Sequence, residues 1–195
     1  MTHQPDTPIL PCVEENDASP EVAHVFNEAM RITQSPFVSN FFKCAAPWLP
    51  AAEPNLEITK TMVEKTTLPL ALITIIGYVI ATNSDCEYCA VGNEIGCRTL
   101  GIDDETLDVP IRDLDNVSPE RLRPVVAFAL KKAKSPQLLE PADYEAMREY
   151  GVTDEEIMQI VTISPISVFS DIMADGLKIT VEDPKYEALE TLRGS

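Results

Sequence analysis

The chain has 195 residues, of which 45% are hydrophobic and 24% charged, as in an ordinary globular protein. Its 32 acidic residues outnumber its 15 basic residues, and the formal net charge is −17. This field repels phosphate backbones and anionic lipid headgroups, so we expect no nucleic-acid partner and no membrane partner. The N-terminus lacks a charged segment followed by an apolar run, so we expect no signal peptide and a cytoplasmic location.

Residues 1–18 are proline-containing and carry little apolar pattern, which predicts an extended N-terminal arm. Ser19 as an N-cap and Pro20 at the first helical position then predict the start of a helix. Two further segments with helical periodicity follow, at 37–48 and 56–62. The first of them is rich in aromatic residues, which suits either core packing or an interface between subunits.

Segment 68–81 is the longest apolar run of the chain. Its β-branched residues favour a strand, whereas its length and lack of alternation favour a buried helix, and periodicity does not decide between them. With about 14 residues, it is shorter than the roughly 20 that a helix needs to cross a bilayer.

A capping box of Ser84 and Glu87 predicts that a helix begins at 84 and runs to 99. Further helices are predicted from 102, over 118–133 and over 142–150. A second capping box, of Thr153 and Glu156, predicts a helix over 157–163, and Pro165 predicts a break before 168–177. The sequence thus predicts an arm at 1–18, a single helical domain at 19–180 and a C-terminal tail at 181–195.

Cys86 and Cys89 carry the strongest chemical signal of the sequence. Residues three apart on a helix lie about one turn apart, so these two sulfurs are close enough to bridge. A helix N-terminus lowers the pKa of a thiol, whereas the neighbouring carboxylates of Asp85 and Glu87 raise it, and sequence does not show which effect prevails. The pattern favours reversible disulfide chemistry, although an incidental pair of buried cysteines shows the same spacing.

The other cysteines and histidines do not complete a metal site. A zinc site needs four ligands, but Cys12, Cys44 and Cys97 are single. The two histidines, His3 and His24, show no ligand spacing. We therefore expect no metal and no cofactor, and we expect Cys97 to be a core residue. A cytoplasmic location also predicts that the five cysteines form no structural disulfide framework.

Segment 83–93, Asn-Ser-Asp-Cys-Glu-Tyr-Cys-Ala-Val-Gly-Asn, resembles the active-site helix of alkylhydroperoxidase D-like (AhpD-like) proteins. These proteins belong to the carboxymuconolactone decarboxylase superfamily, and the similarity is to its peroxidase-related branch. It covers most of the chain from about residue 20 to 180. It implies an all-α, compact AhpD-like fold of about eight to ten helices, with 68–81 helical and the CxxC motif at the N-terminus of a central helix.

Two positions depart from the pattern of this family. The family histidine, four residues after the second cysteine, is Asn93 here, and the family glutamate, twelve residues before the first cysteine, is Thr74. Neither side chain titrates near neutral pH, and general acid–base help is commonly worth about 10²- to 10⁴-fold in rate. We therefore expect weak or altered activity. The candidate replacement groups are more typical of surface or packing positions; they are His24, Glu57, Glu64 and Glu94.

The leading hypothesis is a peroxidase-related thiol–disulfide redox protein. Cys86 would be the more exposed thiol and Cys89 the deeper partner, supported by Thr74, Glu87, Tyr88 and Asn93. The resemblance implies hydroperoxides or a partner's disulfide as substrates, and a homo-oligomer that is a dimer, trimer or hexamer. One alternative is a non-catalytic ligand-binding or interaction protein on the same scaffold. Another is a carboxymuconolactone decarboxylase-type enzyme, which the acidic chain and the missing histidine disfavour.

Overall fold

The computed structural model describes residues 8–104, 106–107 and 122–194. These residues form nine α-helices and no strand, so the predicted all-α fold is confirmed. The helices are α1 (Pro20–Thr33), α2 (Asn40–Ala45), α3 (Leu49–Lys60), α4 (Leu70–Asn83), α5 (Glu87–Thr99), α6 (Leu122–Lys134), α7 (Pro141–Glu149), α8 (Asp154–Leu177) and α9 (Asp183–Arg193). The predicted helix start at 118 lies outside the described residues.

Helices α1, α2 and α3 form one apolar cluster. Its first helix begins as the sequence predicts, because the Ser19 hydroxyl accepts a hydrogen bond from the Val22 amide at 3.3 Å and Pro20 needs no partner for an N–H. The arm that precedes α1 is joined to α2 by a disulfide between Cys12 and Cys44. The sequence did not predict this pairing, which arises because the fold returns α2 to the arm across 32 residues of sequence.

Helices α4 and α5 are central and closely packed. Helix α4 is buried on nearly all sides, which confirms the helical interpretation of 68–81. Glycines permit the close approach of the two helices. A Cβ atom at Gly77 would lie 2.5 Å from the Asn93 Oδ1, and one at Gly96 would lie 2.8 Å from the Thr74 Cγ2.

The turn between α4 and α5 differs from the predicted capping box. Ser84 ends α4, where its hydroxyl oxygen lies 2.9 Å from the Ile80 carbonyl oxygen, and Asp85 has a φ of 58°. Cys86 is the N-cap of α5, which begins at Glu87. The prediction that Ser84 starts the helix was wrong because its hydroxyl faces the preceding helix and α8 instead of the first turn of α5.

Helix α8 runs without a break through Pro165, so the predicted interruption is wrong. Pro165 lies on the exposed side of α8, where water can satisfy the backbone carbonyl that loses its partner. The predicted capping box of Thr153 and Glu156 does begin this helix. By length and hydropathy alone, α8 is the one helix in the described part of the chain that passes the test for a membrane span. It packs against α4, α5 and α6, although Phe169 and Ile172 are exposed.

The segment expected to be a C-terminal tail, 181–195, contains α9, which packs against α5. A salt bridge of 2.7 Å from Arg193 to Glu94 joins the two helices. At the other end of α9, Lys185 lies over the Tyr88 ring, with its Nζ 4.5 Å from the ring centroid. The helix thus covers the side of α5 that follows the two cysteines.

Candidate active site

The turn at the start of α5 carries both cysteines, and both are free thiols. Cys86 is 0% exposed, and its thiol faces the backbone carbonyl oxygen of Asp171 at 3.8 Å. Cys89, one turn further along, is only partly buried. The predicted order of exposure is therefore reversed. Because Cys86 caps the helix against α8, its sulfur is enclosed, and the sulfur nearer to solvent is that of Cys89.

Asp171, in the C-terminal half of α8, is the third group of the site. It is 3% exposed, and its carboxylate accepts a hydrogen bond from the Ser84 hydroxyl at 2.5 Å. The two cysteine sulfurs and a carboxylate oxygen of Asp171 all lie within 4.8 Å of one another. A buried acid, two thiols and a hydroxyl therefore form one compact cluster between α4, α5 and α8.

Sequence reasoning missed Asp171, which is separated from Cys89 by most of the C-terminal half of the chain. A signal was nevertheless present. The buried positions of α8 recur at spacings of three and four residues through Ile160, Ser164, Ser167, Asp171 and Ala174. An acid in the register of a buried helical stripe is a strong sign of function, because buried carboxylates need partners.

The cluster holds its protons tightly. The pKa of the Cys89 thiol is raised by its hydrogen bond with Cys86, by burial and by the negative charge of Asp171. Burial also raises the pKa of Asp171, while hydrogen bonds from Ser84, Cys89 and Cys86 oppose that rise. At Cys89, the groups that raise the thiol pKa therefore prevail.

The two positions that depart from the family pattern serve the packing of α4 against α5. The Thr74 hydroxyl donates to the Leu70 carbonyl at 2.8 Å, and the Asn93 amide donates to the Cys89 carbonyl at 2.8 Å. Each side chain fills the hollow opposite a glycine of the neighbouring helix. Asn93 is thereby in contact with the backbone of Cys89, whereas Thr74 hydrogen-bonds within its own helix.

Tyr88 and Glu87 connect α5 to its neighbours. The Tyr88 hydroxyl accepts from the Phe41 amide and lies 3.1 Å from the Glu182 carboxylate, to which it donates. Burial raises the pKa of Tyr88 well above its usual value. Glu87 accepts a hydrogen bond from the Tyr186 hydroxyl at 2.8 Å. Both side chains hold α2 and α9 against the turn that carries the cysteines.

The other candidate relay groups are engaged elsewhere. Glu94 was expected at the surface but is 6% exposed, and its carboxylate binds Arg98 and Arg193. Burial alone would raise the pKa of Glu94, but the two guanidinium groups hold it below its usual value. Glu57 pairs with Lys60 and Glu64 with Arg31. His24 lines an open cleft between α1 and α3.

The same donor set has the chemistry of a partial metal site. Two thiols and a carboxylate suit a thiophilic cation, and their ligand atoms are close enough to share one. A structural zinc site takes four ligands, however, and this group of described residues supplies three. A bound zinc ion would therefore keep a position open to water or to a substrate.

Solved structures share this fold over nearly the whole chain. The AhpD core of an uncharacterized peroxidase-related protein from Ralstonia eutropha JMP134 is 23% identical with a TM-score of 0.82, over 92% of this chain and 94% of that one. An uncharacterized peroxidase-related protein from Silicibacter sp. TM1040 is 18% identical with a TM-score of 0.79, over 94% and 98%. The apo debrominase Bmp8 is 16% identical with a TM-score of 0.75, over 94% and 97%.

A cysteine-to-alanine variant of Bmp8, in complex with 2,3,4-tribromopyrrole, also matches, with 15% identity and a TM-score of 0.77 over 96% of this chain and 98% of that one. No protein-family model matches the sequence, and neither does any curated protein. The chain therefore has the AhpD-like fold of peroxidase-related proteins, with its cysteine pair at the start of a central helix.

Proposed function

We propose that this protein is a thiol peroxidase in which Asp171 takes the place of the missing family relay. The observation that carries the proposal is the cluster of Cys86, Cys89 and Asp171 within 4.8 Å. A nucleophile beside a base, with the base held by a third group, is the usual arrangement of covalent catalysis. Here Ser84 holds the Asp171 carboxylate toward the sulfurs.

Cys89 is the attacking thiol, because it is the sulfur of the pair nearer to solvent. Asp171 accepts its proton while the sulfur attacks the terminal oxygen of a hydroperoxide and the O–O bond breaks. The proton then passes from Asp171 to the departing alkoxide, which leaves as an alcohol. Cys89 is left as a sulfenic acid, so the peroxide has been reduced and the sulfur oxidised.

Cys86 resolves this intermediate. Its thiol gives up a proton and attacks the Cys89 sulfur, the S–O bond breaks, and the hydroxyl leaves as water with that proton. The product is a Cys86–Cys89 disulfide, which a dithiol reductant returns to two thiols by exchange. No metal or organic cofactor is needed for the balance of electrons in any of these steps.

We expect the rate of peroxide reduction to be modest. Because the pKa of Cys89 is raised, the thiolate is scarce at neutral pH, and attack depends on proton transfer to Asp171 at the moment of reaction. Small alkyl hydroperoxides are the substrate class that this partly buried sulfur suits best. A bulky substrate would have to displace the packing of α5 against α8.

Peroxide consumption tests the proposal, with dithiothreitol as the dithiol. We expect the wild type to consume tert-butyl hydroperoxide over many cycles and Cys89→Ser to consume none, whereas Cys86→Ser consumes one equivalent when dithiothreitol is omitted. Cys97→Ser is the matched control, because burial raises the pKa of this core thiol to about 12 and removes it from the chemistry. If the wild type consumes peroxide no faster than Cys89→Ser does, the proposal is refuted. Consumption by both at the rate of the buffer alone would favour a binding protein.

Reductive debromination is a second candidate, favoured by the likeness to Bmp8. Two thiols can supply two electrons to a bromopyrrole, so that a C–Br bond is replaced by C–H while bromide leaves and the disulfide forms. The same variants apply, with 2,3,4-tribromopyrrole as the substrate and released bromide as the measurement. Bromide release without peroxide consumption would assign the cysteine pair to this reaction instead.

A further inference from the structure

The structure contains a second pair of neighbouring cysteines besides Cys86 and Cys89. Cys12 and Cys44 form a disulfide, whereas Cys86 and Cys89 are free thiols. Cys44 lies in α2 and is 5% exposed, and Cys12 is half-buried on the arm that precedes α1. The chain therefore contains two pairs of cysteines, and the sulfurs of each pair lie close together.

Both pairs belong to one apolar cluster. Cys44 and Cys86 are among its buried members, and Cys12 and Cys89 pack against it. A disulfide whose only purpose was to fasten the arm would not need this shared environment.

Contacts between α2 and α5 hold the two segments that carry Cys44 and Cys89 against each other. Phe41, one turn before Cys44, stacks on the Tyr88 ring with centroids 6.5 Å apart, and its amide donates to the Tyr88 hydroxyl at 3.1 Å. In the sequence, Tyr88 lies between Cys86 and Cys89. The helix that carries Cys44 is thus held against the turn that carries the proposed active thiols.

The arm side of the second pair is open to solvent. A cleft of about 370 Å³ lies beside Cys12, with Leu10, Asn40 and Thr180 in its walls. Backbone hydrogen bonds on either side of Cys12 join the arm to the domain. The Ile9 amide donates to the Leu177 carbonyl, and the Val13 amide donates to the Lys43 carbonyl. An external thiol can therefore reach the Cys12 sulfur without entering the apolar cluster.

We propose that Cys12 and Cys44 are a second redox-active pair. Thiol–disulfide exchange moves the disulfide from Cys86–Cys89 to Cys12–Cys44, where an external dithiol can reduce it. The Cys44 thiolate attacks the Cys89 sulfur, which forms a Cys44–Cys89 bond and releases Cys86. The Cys12 thiolate then attacks the Cys44 sulfur and releases Cys89. Two protons move from Cys12 and Cys44 to Cys86 and Cys89, so one disulfide is exchanged for another with no added oxidant.

This inference rests on the proposed function only in taking Cys86–Cys89 as the pair that becomes oxidised. It gives the enclosed active thiols a route to a reductant too large to reach them. In a reducing compartment, which we expect for this chain, disulfides are usually transient and catalytic or redox-sensing. A second redox pair suits that compartment better than a permanent fastening of the arm.

Time-resolved disulfide mapping tests the exchange. The reduced protein receives less than one equivalent of diamide, so that no peroxidase activity is required, and samples are quenched in acid, alkylated and mapped by mass spectrometry. We expect Cys86–Cys89 to form first and then to be replaced by Cys12–Cys44, by at least about tenfold at equilibrium, or about 30 mV. In Cys12→Ser, Cys86–Cys89 is expected to persist.

A trapped intermediate gives an independent measurement. In the double variant Cys12→Ser, Cys86→Ser, a Cys44–Cys89 mixed disulfide is expected after diamide, and Cys97 is expected to remain free. Melting temperatures under reducing conditions, where no variant has a disulfide, show whether each variant is folded.

Two results would overturn the exchange alone. One is a Cys86–Cys89 disulfide that persists in the wild type; the other is equally fast formation of Cys12–Cys44 when Cys86 and Cys89 are both serine. If Cys86–Cys89 never forms, the exchange and the proposed function both fail. If it forms and moves to Cys12–Cys44 while peroxide is not consumed, the exchange stands and only the peroxidase fails.

Discussion

Replacing Asp171 with Asn separates a proton relay from a structural acid. Asn has nearly the size of Asp and still accepts the hydrogen bond that Ser84 donates at 2.5 Å, but it cannot take a proton from Cys89. Loss of general acid–base help is commonly worth about 10²- to 10⁴-fold, so peroxide turnover is expected to fall by that factor. The matched control is Asp183→Asn, an equal change of charge at an exposed position, which is expected to retain wild-type turnover.

The reactivity of Cys89 toward iodoacetamide is expected to change in the opposite direction. Asp171 is one of the groups that raise the pKa of Cys89, so its replacement lowers that pKa and increases the thiolate fraction. Alkylation should become faster while peroxide reduction becomes slower. If both rates rise together, Asp171 only repels the thiolate and the relay is refuted.

Stability adds a third measurement on the same variant. The folded-state pKa of Asp171 is raised, so the folded protein binds this proton more tightly than the unfolded chain, and stability is lost as pH rises from the unfolded pKa through the folded pKa. At neutral pH, Asp171→Asn removes that cost. We therefore expect the melting temperature to rise; in a chain of this size, a gain of about 1 kcal/mol corresponds to about 2–4 °C. A lower melting temperature would show that the carboxylate supports the fold.

Three further changes test the surroundings of the site. Ser84→Ala removes a hydrogen bond that lowers the pKa of Asp171, so the acidic limb of the pH–rate profile should move to higher pH. If the limb does not move, the ionisation that it reports belongs to another group. Gly77→Ala places a Cβ 2.5 Å from the Asn93 Oδ1, and overpacking of this kind lowers the free energy of unfolding by about 1–3 kcal/mol, which urea unfolding measures. Wild-type stability of this variant would mean that α4 and α5 pack less closely than described. Incubation with EDTA should leave peroxide turnover unchanged, because the thiol steps need no metal; a loss that zinc restores would assign the cluster to a metal.

The sequence predicted the scaffold well, because helix signals are local. Caps at Ser19 and Thr153 mark the starts of α1 and α8, and glycines with φ of 81° and 83° follow helices where Gly101 and Gly151 stand. Segment 68–81, which overlaps α4, was predicted to be helical only through the family resemblance, because a helix buried on nearly all sides has no periodic apolar face.

The site was harder to predict, because it depends on contacts between distant segments. The cysteine pair was visible from its spacing, but Asp171 reaches it only through the packing of α8 against α5. The order of exposure was reversed for the same reason, since the carbonyl that meets the Cys86 thiol belongs to α8. The disulfide of Cys12 and Cys44 likewise depends on how α2 returns to the arm.

Identification of the first oxidised sulfur tests the account most directly. The Cys86→Ser variant is treated with one equivalent of tert-butyl hydroperoxide and an excess of dimedone, and chymotryptic cleavage after Tyr88 separates position 86 from Cys89. A dimedone adduct is expected on Cys89 and none on Cys97. An adduct on Cys86 in the Cys89→Ser variant, with no adduct on Cys89 when position 86 is serine, would contradict it.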